Sequence, residues 1–320
     1  MRILVTGGAG YIGSHLVDRL VHLNHEVTVI DDLSTGNLAN LTAVRGDIQF
    51  VEATILDADI VDTLVAGADV VFHLAAAVGV GHIIEQPLRS LVINTKGAEN
   101  VIAACVKHDR KLLLASTSEI YGKTAKMPMS EDDDRVLGST TIARWGYSTA
   151  KAIDEHLALA HAQHGLRMSI VRYFNSYGPR LDPRGYGSVV ANLMRQAIDN
   201  EPLTVHGDGS QTRCFTYVDD TVEGTLRAAL DLRGEGQIFN VGNDHETSII
   251  DLATAIIAMT GSSSTVQHVS YEQRFGKGFE DTKRRIPDVQ RARTVLDFNA
   301  GISLQDGLQR TLAWWRATHR

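Results

Sequence analysis

The chain opens with a short apolar run, "MRILV", that breaks into the glycine-rich stretch "TGGAGYIG" and then into an amphipathic segment from Tyr11 to Leu23. This order predicts strand, tight turn and helix. Gly7, Gly10 and Gly13 recur at every third position, and Gly8, Gly10 and Gly13 also fit G-x-G-x-x-G. Glycines in such a turn let backbone N–H groups and the helix amino terminus approach a pyrophosphate. The spacing alone is common. Here it is narrowed by the acidic pair Asp31–Asp32, which ends the second apolar run, "EVTVID". A carboxylate there accepts hydrogen bonds from ribose hydroxyls and repels a 2′-phosphate, which favours NAD over NADP. The cofactor-binding residues read from this part are Gly7, Gly10, Tyr11, Ile12, Gly13, Asp31 and Asp32, with Ser34, Thr35 and Gly36 completing the adenosine pocket.

Further apolar runs, "IQFVEA", "ADVVFHLAA", "KLLLAST" and "RMSIVRYF", alternate with helical stretches carrying "NTKGAENVIAACVKH" and Tyr147 to Gln163. Near-continuous apolar strands between helices predict an α/β, doubly wound parallel sheet, covered on both faces. After Phe174 the Gly/Pro-rich "NSYGPRLDPRGYG" changes the character. The expected division is a cofactor-binding domain over 1–174, with segments around 212–243 returning to it, and a smaller, discontinuous substrate lobe over 175–320. A ligand cleft is expected between the two.

The run "LASTSEIYG" ends in Ser116, Thr117, Ser118 and Glu119, four polar residues at a strand tip. Tyr147 and Lys151, four apart, share a face of the following predicted helix. A tyrosine is a poor base near neutral pH, but a neighbouring ammonium and a cationic nicotinamide favour its phenolate. That pairs a candidate base with a nucleotide turn.

On "TGGAGYIG", "FHLAA", "STSEIYG", Tyr147 with Lys151, "RYFNSYGPR", "GDGSQTRCFTYVDD" and "RRIPDVQRAR", the chain resembles the nucleotide-sugar branch of the extended short-chain dehydrogenases/reductases along essentially its whole length. The resemblance implies that Tyr147 removes a sugar hydroxyl proton while the adjacent carbon is oxidised by NAD. It also implies that Lys151 tunes Tyr147 and holds the nicotinamide ribose, and that Thr117 or Ser118 bonds the reacting oxygen. Leu74, Ala75, Ala76 and Asn94 would join the cofactor site. Where the family commonly has an acid near the adenine, this chain has Thr54 and Ile55.

The Thr117–Ser118–Glu119 triplet resembles that of UDP-glucuronate decarboxylases, as do "RWGYS", "GPRLD", "RCFT" and Arg285, two before a proline. The loop "AVGVGHIIEQP" departs from theirs. In that reading Glu119 donates a proton or orients water, Arg285 positions a carboxylate or the diphosphate, and Asn175, Arg180 and Arg213 contact the nucleotide sugar. The backbone around Val205, in "LTVHGDG", meets the uracil. A 4-epimerase is the rival reaction, with Glu119 then a structural ion-pair partner. A catalytically silent nucleotide sensor on the same fold would have no need of both Tyr147 and Lys151. The resemblance also implies a homodimer through the helices of Lys96 and Tyr147.

The net charge of −7 argues against phosphate-backbone binding to nucleic acid. Cys105 and Cys214 lack disulfide or metal spacing and read as buried thiols. His15, His22, His25, His156, His161 and His164 have no partners at ligand spacing, so no metal is expected. No signal peptide or spanning segment is apparent, and a cytoplasmic protein is the expectation. Glu131 to Asp134, Arg184, Arg274 and Lys277 read as solvated charges, and Trp314 and Trp315 as packing residues.

Overall fold

The computed structural model describes residues 1–79, 83, 85–181, 188–275 and 281–318, so Arg184, Lys277 and the side chain of Arg274 lie outside the described residues. Seven parallel strands form one sheet. They are β1 (Arg2–Thr6), β2 (Glu26–Asp31), β3 (Ile48–Glu52), β4 (Val70–His73), β5 (Lys111–Thr117), β6 (Met168–Tyr173) and β11 (Ile238–Val241), in the spatial order β11-β6-β5-β4-β1-β2-β3. Along β1 and β5 alternate side chains go to opposite cores. Ile3, Val5 and Leu113 face one and Leu4, Leu112 and Leu114 the other. A strand buried on both faces must be apolar throughout, which is why these runs lack a polar alternation.

Helices α1 (Tyr11–His22) and α7 (Val218–Leu230) cover the first face. The second is covered by α2 (Ala58–Gly67), α4 (Ala98–Lys107) and α5 (Arg144–Ala162). Phe72, wholly buried at the centre of the sheet, is the kind of residue whose truncation to Ala costs about 3–5 kcal/mol. Before α4 come α3 (Pro87–Val92) and a π-helical turn, Ile93–Gly97. Strand order reverses between β1 and β4, and in such sheets ligands bind beyond the strand carboxyl ends at that point.

Beyond β6 the chain adds α6 (Val189–Ile198), α8 (Ile249–Thr260), α9 (Gln290–Leu296, after a short helix Tyr271–Phe275) and α10 (Leu304–Thr318). Three small sheets pair β7 (Ser176–Tyr177) with β10 (Thr216–Tyr217), β8 (Leu203–His206) with β13 (Val266–Val269), and β9 (Thr212–Cys214) with β12 (Glu246–Ser248). Of the 212–243 segment only β11 joins the main sheet, while α7 packs on it and β9 stays with β12.

One expected solvated charge is not solvated. Glu131 is buried and accepts a hydrogen bond from Asn240 N at 2.8 Å, because the 130s loop folds under β11. Cys105 and Cys214 are buried, and burial pushes both thiols up to about 12. Trp315 is in the core with Trp314 against it. No helix among the described residues is long and apolar enough to cross a membrane.

Candidate active site

The cofactor cavity runs along the carboxyl ends of β1, β2, β4 and β5. Its walls are Gly7, Gly10, Tyr11, Ile12 and Gly13 of the first turn, then Asp31, Asp32, Ser34 and Thr35, then Thr54 and Ile55, then Leu74, Ala75 and Ala76. At its inner end stand Tyr147 and Lys151. Gln86, Arg89, Ser90 and Ile93 also line it, and nothing in the sequence pattern pointed to them.

The turn has little room. Gly7 has φ +71°, and a Cβ there would lie 2.8 Å from the Ala75 backbone. A Cβ on Gly13 would lie 2.1 Å from the Gly7 carbonyl. Helix α1 starts at Gly10 with no side-chain cap and no acid in its first turn, so its amino-terminal N–H groups remain directed at an anion site. Asp31 accepts Ala9 N and Leu33 N, each at 2.9 Å, and ties the turn to the end of β2. A cradle that excludes side chains, an uncapped helix terminus and a ribose-side carboxylate together fit a dinucleotide.

Two expected cofactor residues stand behind the cavity. Gly36 lies so close to Asp31 that a Cβ would be 2.8 Å from Oδ1. Asn94, in the π-helical turn, accepts from Ala77 N at 2.8 Å and donates to Ala77 O at 3.0 Å. It shapes the wall after β4 without lining the cavity.

Each polar residue at the β5 tip has a partner. Ser116 donates to Glu155 at 2.5 Å, and Glu155 is clamped by Arg172 at 2.9 and 2.6 Å. Thr117 accepts Glu119 N, and its hydroxyl is near enough to the Tyr147 phenol to favour the phenolate. Ser118 Oγ is 3.5 Å from Arg285, and Glu119 pairs with Arg285 at 2.8 Å and with Arg144 at 3.4 Å. Burial raises the Glu119 carboxyl, but Arg285 and then Arg144 outweigh it and hold it at about 2.

Arg144 and Arg213 also meet Asp281, each at 3.1 Å, and the Tyr271 hydroxyl donates to Asp281 at 3.0 Å. Among the described residues, three buried guanidiniums therefore face two carboxylates. Arg144, Asp281 and Tyr271 had no role assigned from the sequence. The run "RWGYS" contains Arg144, but only folding shows that it turns toward Glu119.

Asn175 sits at φ +33° with its buried side-chain oxygen unpaired among the described residues. Arg180 pairs through Nη2 with Asp18 of α1 at 2.6 Å, while its buried Nη1 has no partner among the described residues. The Val205 side chain is buried in the core, with its strand paired to β13 at His268.

Within the protein alone, the Tyr147 phenol is pushed well above its ordinary range, chiefly by burial, then by Glu119 and Asp154. Lys151 is itself paired with buried Asp154 at 3.2 Å. Among the described residues no cluster of three or more His, Cys, Asp or Glu could hold a metal ion.

Residues 3–242 match the family model described as the NAD dependent epimerase/dehydratase family. The chain is 42% identical over 315 residues to the UDP-N-acetyl-alpha-D-glucosaminuronate decarboxylase of Bacillus cytotoxicus, covering 98% of each. It is 34% identical to UDP-glucuronic acid decarboxylase 1 of Xenopus tropicalis, covering 98% of this chain and 72% of that one. Among solved structures, the UDP-glucose 4-epimerase of Thermotoga maritima with UDP-glucose superposes with a TM-score of 0.90 at 32% identity, covering 100% of both chains. With the fold, the cofactor turn and these likenesses in agreement, the chain belongs to the NAD dependent epimerase/dehydratase family.

Proposed function

We propose that the protein decarboxylates a UDP-linked hexuronate, UDP-glucuronate or its 2-acetamido counterpart, using bound NAD. The observation that carries this reading is the buried array in which, among the described residues, the three guanidiniums of Arg144, Arg213 and Arg285 meet around Glu119 and Asp281. A sugar carboxylate entering this array would gain charge-assisted hydrogen bonds from the guanidiniums that a neutral hexose cannot make. The 42% identity to a decarboxylase of an N-acetylated hexuronate supports the same reading.

NAD, held by the glycine turn, Asp31 and Lys151, would accept the hydrogen and electron pair from the sugar C4 and could return them. Tyr147 takes the C4 hydroxyl proton, with Thr117 bonding the same region. Once C4 is a ketone, the C5 carboxylate is β to it, and Arg285 orients that carboxylate for loss of carbon dioxide. The electron pair left behind moves onto the C4 oxygen, where Tyr147 and Thr117 stabilise the enolate. Because Arg285 and Arg144 keep Glu119 ionised, its role is to accept a hydrogen bond from a water placed for reprotonation at C5, in preference to donating a proton itself.

Asn175 and Arg213 would contact the nucleotide sugar. A homodimer is supported by the exposed apolar residues Leu88, Leu91 and Val92 of α3 and Ile153 of α5.

The test is incubation with NAD and each hexuronate separately, followed by mass spectrometry of the nucleotide sugars. Loss of carbon dioxide, with a pentose or 4-keto-pentose left on UDP, is expected. An isomer of unchanged mass would establish the 4-epimerase reading, for which the Thermotoga maritima likeness speaks.

A further inference from the structure

Helix α5 carries two buried acids that the scheme above leaves unused, Asp154 and Glu155. The Asp154 side chain has no exposure, and no donor among the described residues makes a hydrogen bond to either carboxylate oxygen. The Lys151 ammonium, itself buried, lies 3.2 Å from Oδ2. The adjacent Glu155 shows how the fold treats a structural acid, with two hydrogen bonds from Arg172 and one from Ser116. Asp154 has none of these. A buried carboxylate is costly unless paired, and this one is retained where its partner is the lysine of the Tyr147–Lys151 pair. Positions 147, 151 and 154 fall on one face of the helix.

The other ionisable groups on elements packed against α5 do not take that place. Glu155 is held by Arg172, Glu119 by Arg285 and Arg144, and Lys96 of the π-helical turn pairs with exposed Glu99. Arg89 of α3 lines the cofactor cavity. His73, at the tip of β4, is held neutral by burial and then by Lys151, at about 3, and its Nδ1 shares a hydrogen with Thr6 at 2.8 Å.

We propose that Asp154 is a positioning residue for the Tyr147–Lys151 pair: its carboxylate fixes the Lys151 ammonium and, by offsetting that charge, sets the pH range over which Tyr147 works as the base. Asp154 is among the groups that raise the Tyr147 phenol, after burial and Glu119. Burial, opposed by Lys151, brings Asp154 itself up to about 6. As pH falls through that value, Asp154 loses its charge, Lys151 acts on the phenol unopposed, and the fall in activity on the acid side is made shallower.

The pH part of the proposal rests on the decarboxylase reading, so it is tested in two arms. In the first, kcat/KM of the NAD-loaded enzyme for the hexuronate it turns over is followed against pH for the unaltered protein, Asp154→Asn and Asp154→Glu. Asp154→Asn should move the acid limb to lower pH by about half a unit or more, and Asp154→Glu should bring it back toward the unaltered position. An acid limb unmoved in Asp154→Asn overturns the proposal. In the second arm, which needs no turnover, thermal unfolding compares Lys151→Met with Lys151→Met/Asp154→Asn. The double variant should melt higher, because removing the lysine alone strands a buried carboxylate. Equal or lower melting overturns the pairing, and this arm still decides if Asp154→Asn alone does not fold or if neither hexuronate is decarboxylated.

Discussion

Glu119→Gln keeps the shape of the side chain and removes the charge that two arginines hold. The carboxyl moves from an ordinary 4.5 to about 2, with burial working against the shift and Arg285 and Arg144 driving it. At about 1.36 kcal/mol per unit, that gap corresponds to about 3 kcal/mol of folding stability. The side chain is only 20% exposed, so solvent screening takes little from it. Because the folded pKa lies below the unfolded one, the contribution is fully present above 4.5 and is lost as pH falls through about 2. With an unfolding entropy of about 2.1 cal/mol/K per residue, Glu119→Gln should melt about 5 °C lower at neutral pH. Near pH 3 the difference should shrink to about half. In the same variant kcat should fall about 100-fold while KM for the anionic substrate does not rise, since the site gains positive charge. Calorimetry across pH and steady-state kinetics read both effects. Equal melting at neutral pH, or a difference that does not shrink on acidification, would refute the electrostatic argument.

Gly13→Ala places a Cβ where the Gly7 carbonyl stands, 2.1 Å away, so the turn must open. NAD affinity should fall at least about tenfold by titration calorimetry, and unchanged affinity would show that the turn is not the pyrophosphate cradle. Arg144→Gln removes one of the three guanidiniums that meet Glu119 and Asp281 among the described residues. KM for the hexuronate should rise about 10- to 100-fold with a much smaller change in the affinity for UDP alone. Equal changes for both ligands would place Arg144 on the diphosphate.

The cofactor half of the site was the more legible. Its residues lie in runs at strand ends, where a glycine turn and a terminal acid are local patterns set by backbone freedom and by position along a strand. Tyr147 and Lys151 could be paired because helical spacing alone puts them on one face. Asn94 and Gly36 read as lining residues, yet they shape the cavity from behind, since no sequence pattern distinguishes a wall from its support. Arg180 read as a sugar contact, and no sequence pattern foretold that its Nη2 would pair with Asp18 on α1. Glu131 read as solvated because it heads an acidic run, and burial under β11 was decided by a loop meeting a strand more than a hundred residues away.

The alternation of apolar strands and helices, the glycine turn and the Tyr147–Lys151 spacing determined the doubly wound sheet and its nucleotide chemistry from sequence alone, because each depends on neighbours within a few residues. The charge balance of the reaction site was decided only by the tertiary structure. Glu119, Arg144, Arg213 and the Asp281–Arg285 run come from four separate stretches of chain, and only the packing of these stretches against one another sets the 3 Å distances at which their charges act. The same holds for Tyr147: its sequence places it beside a lysine, but the burial and the acids that govern its proton exist only once the chain has folded.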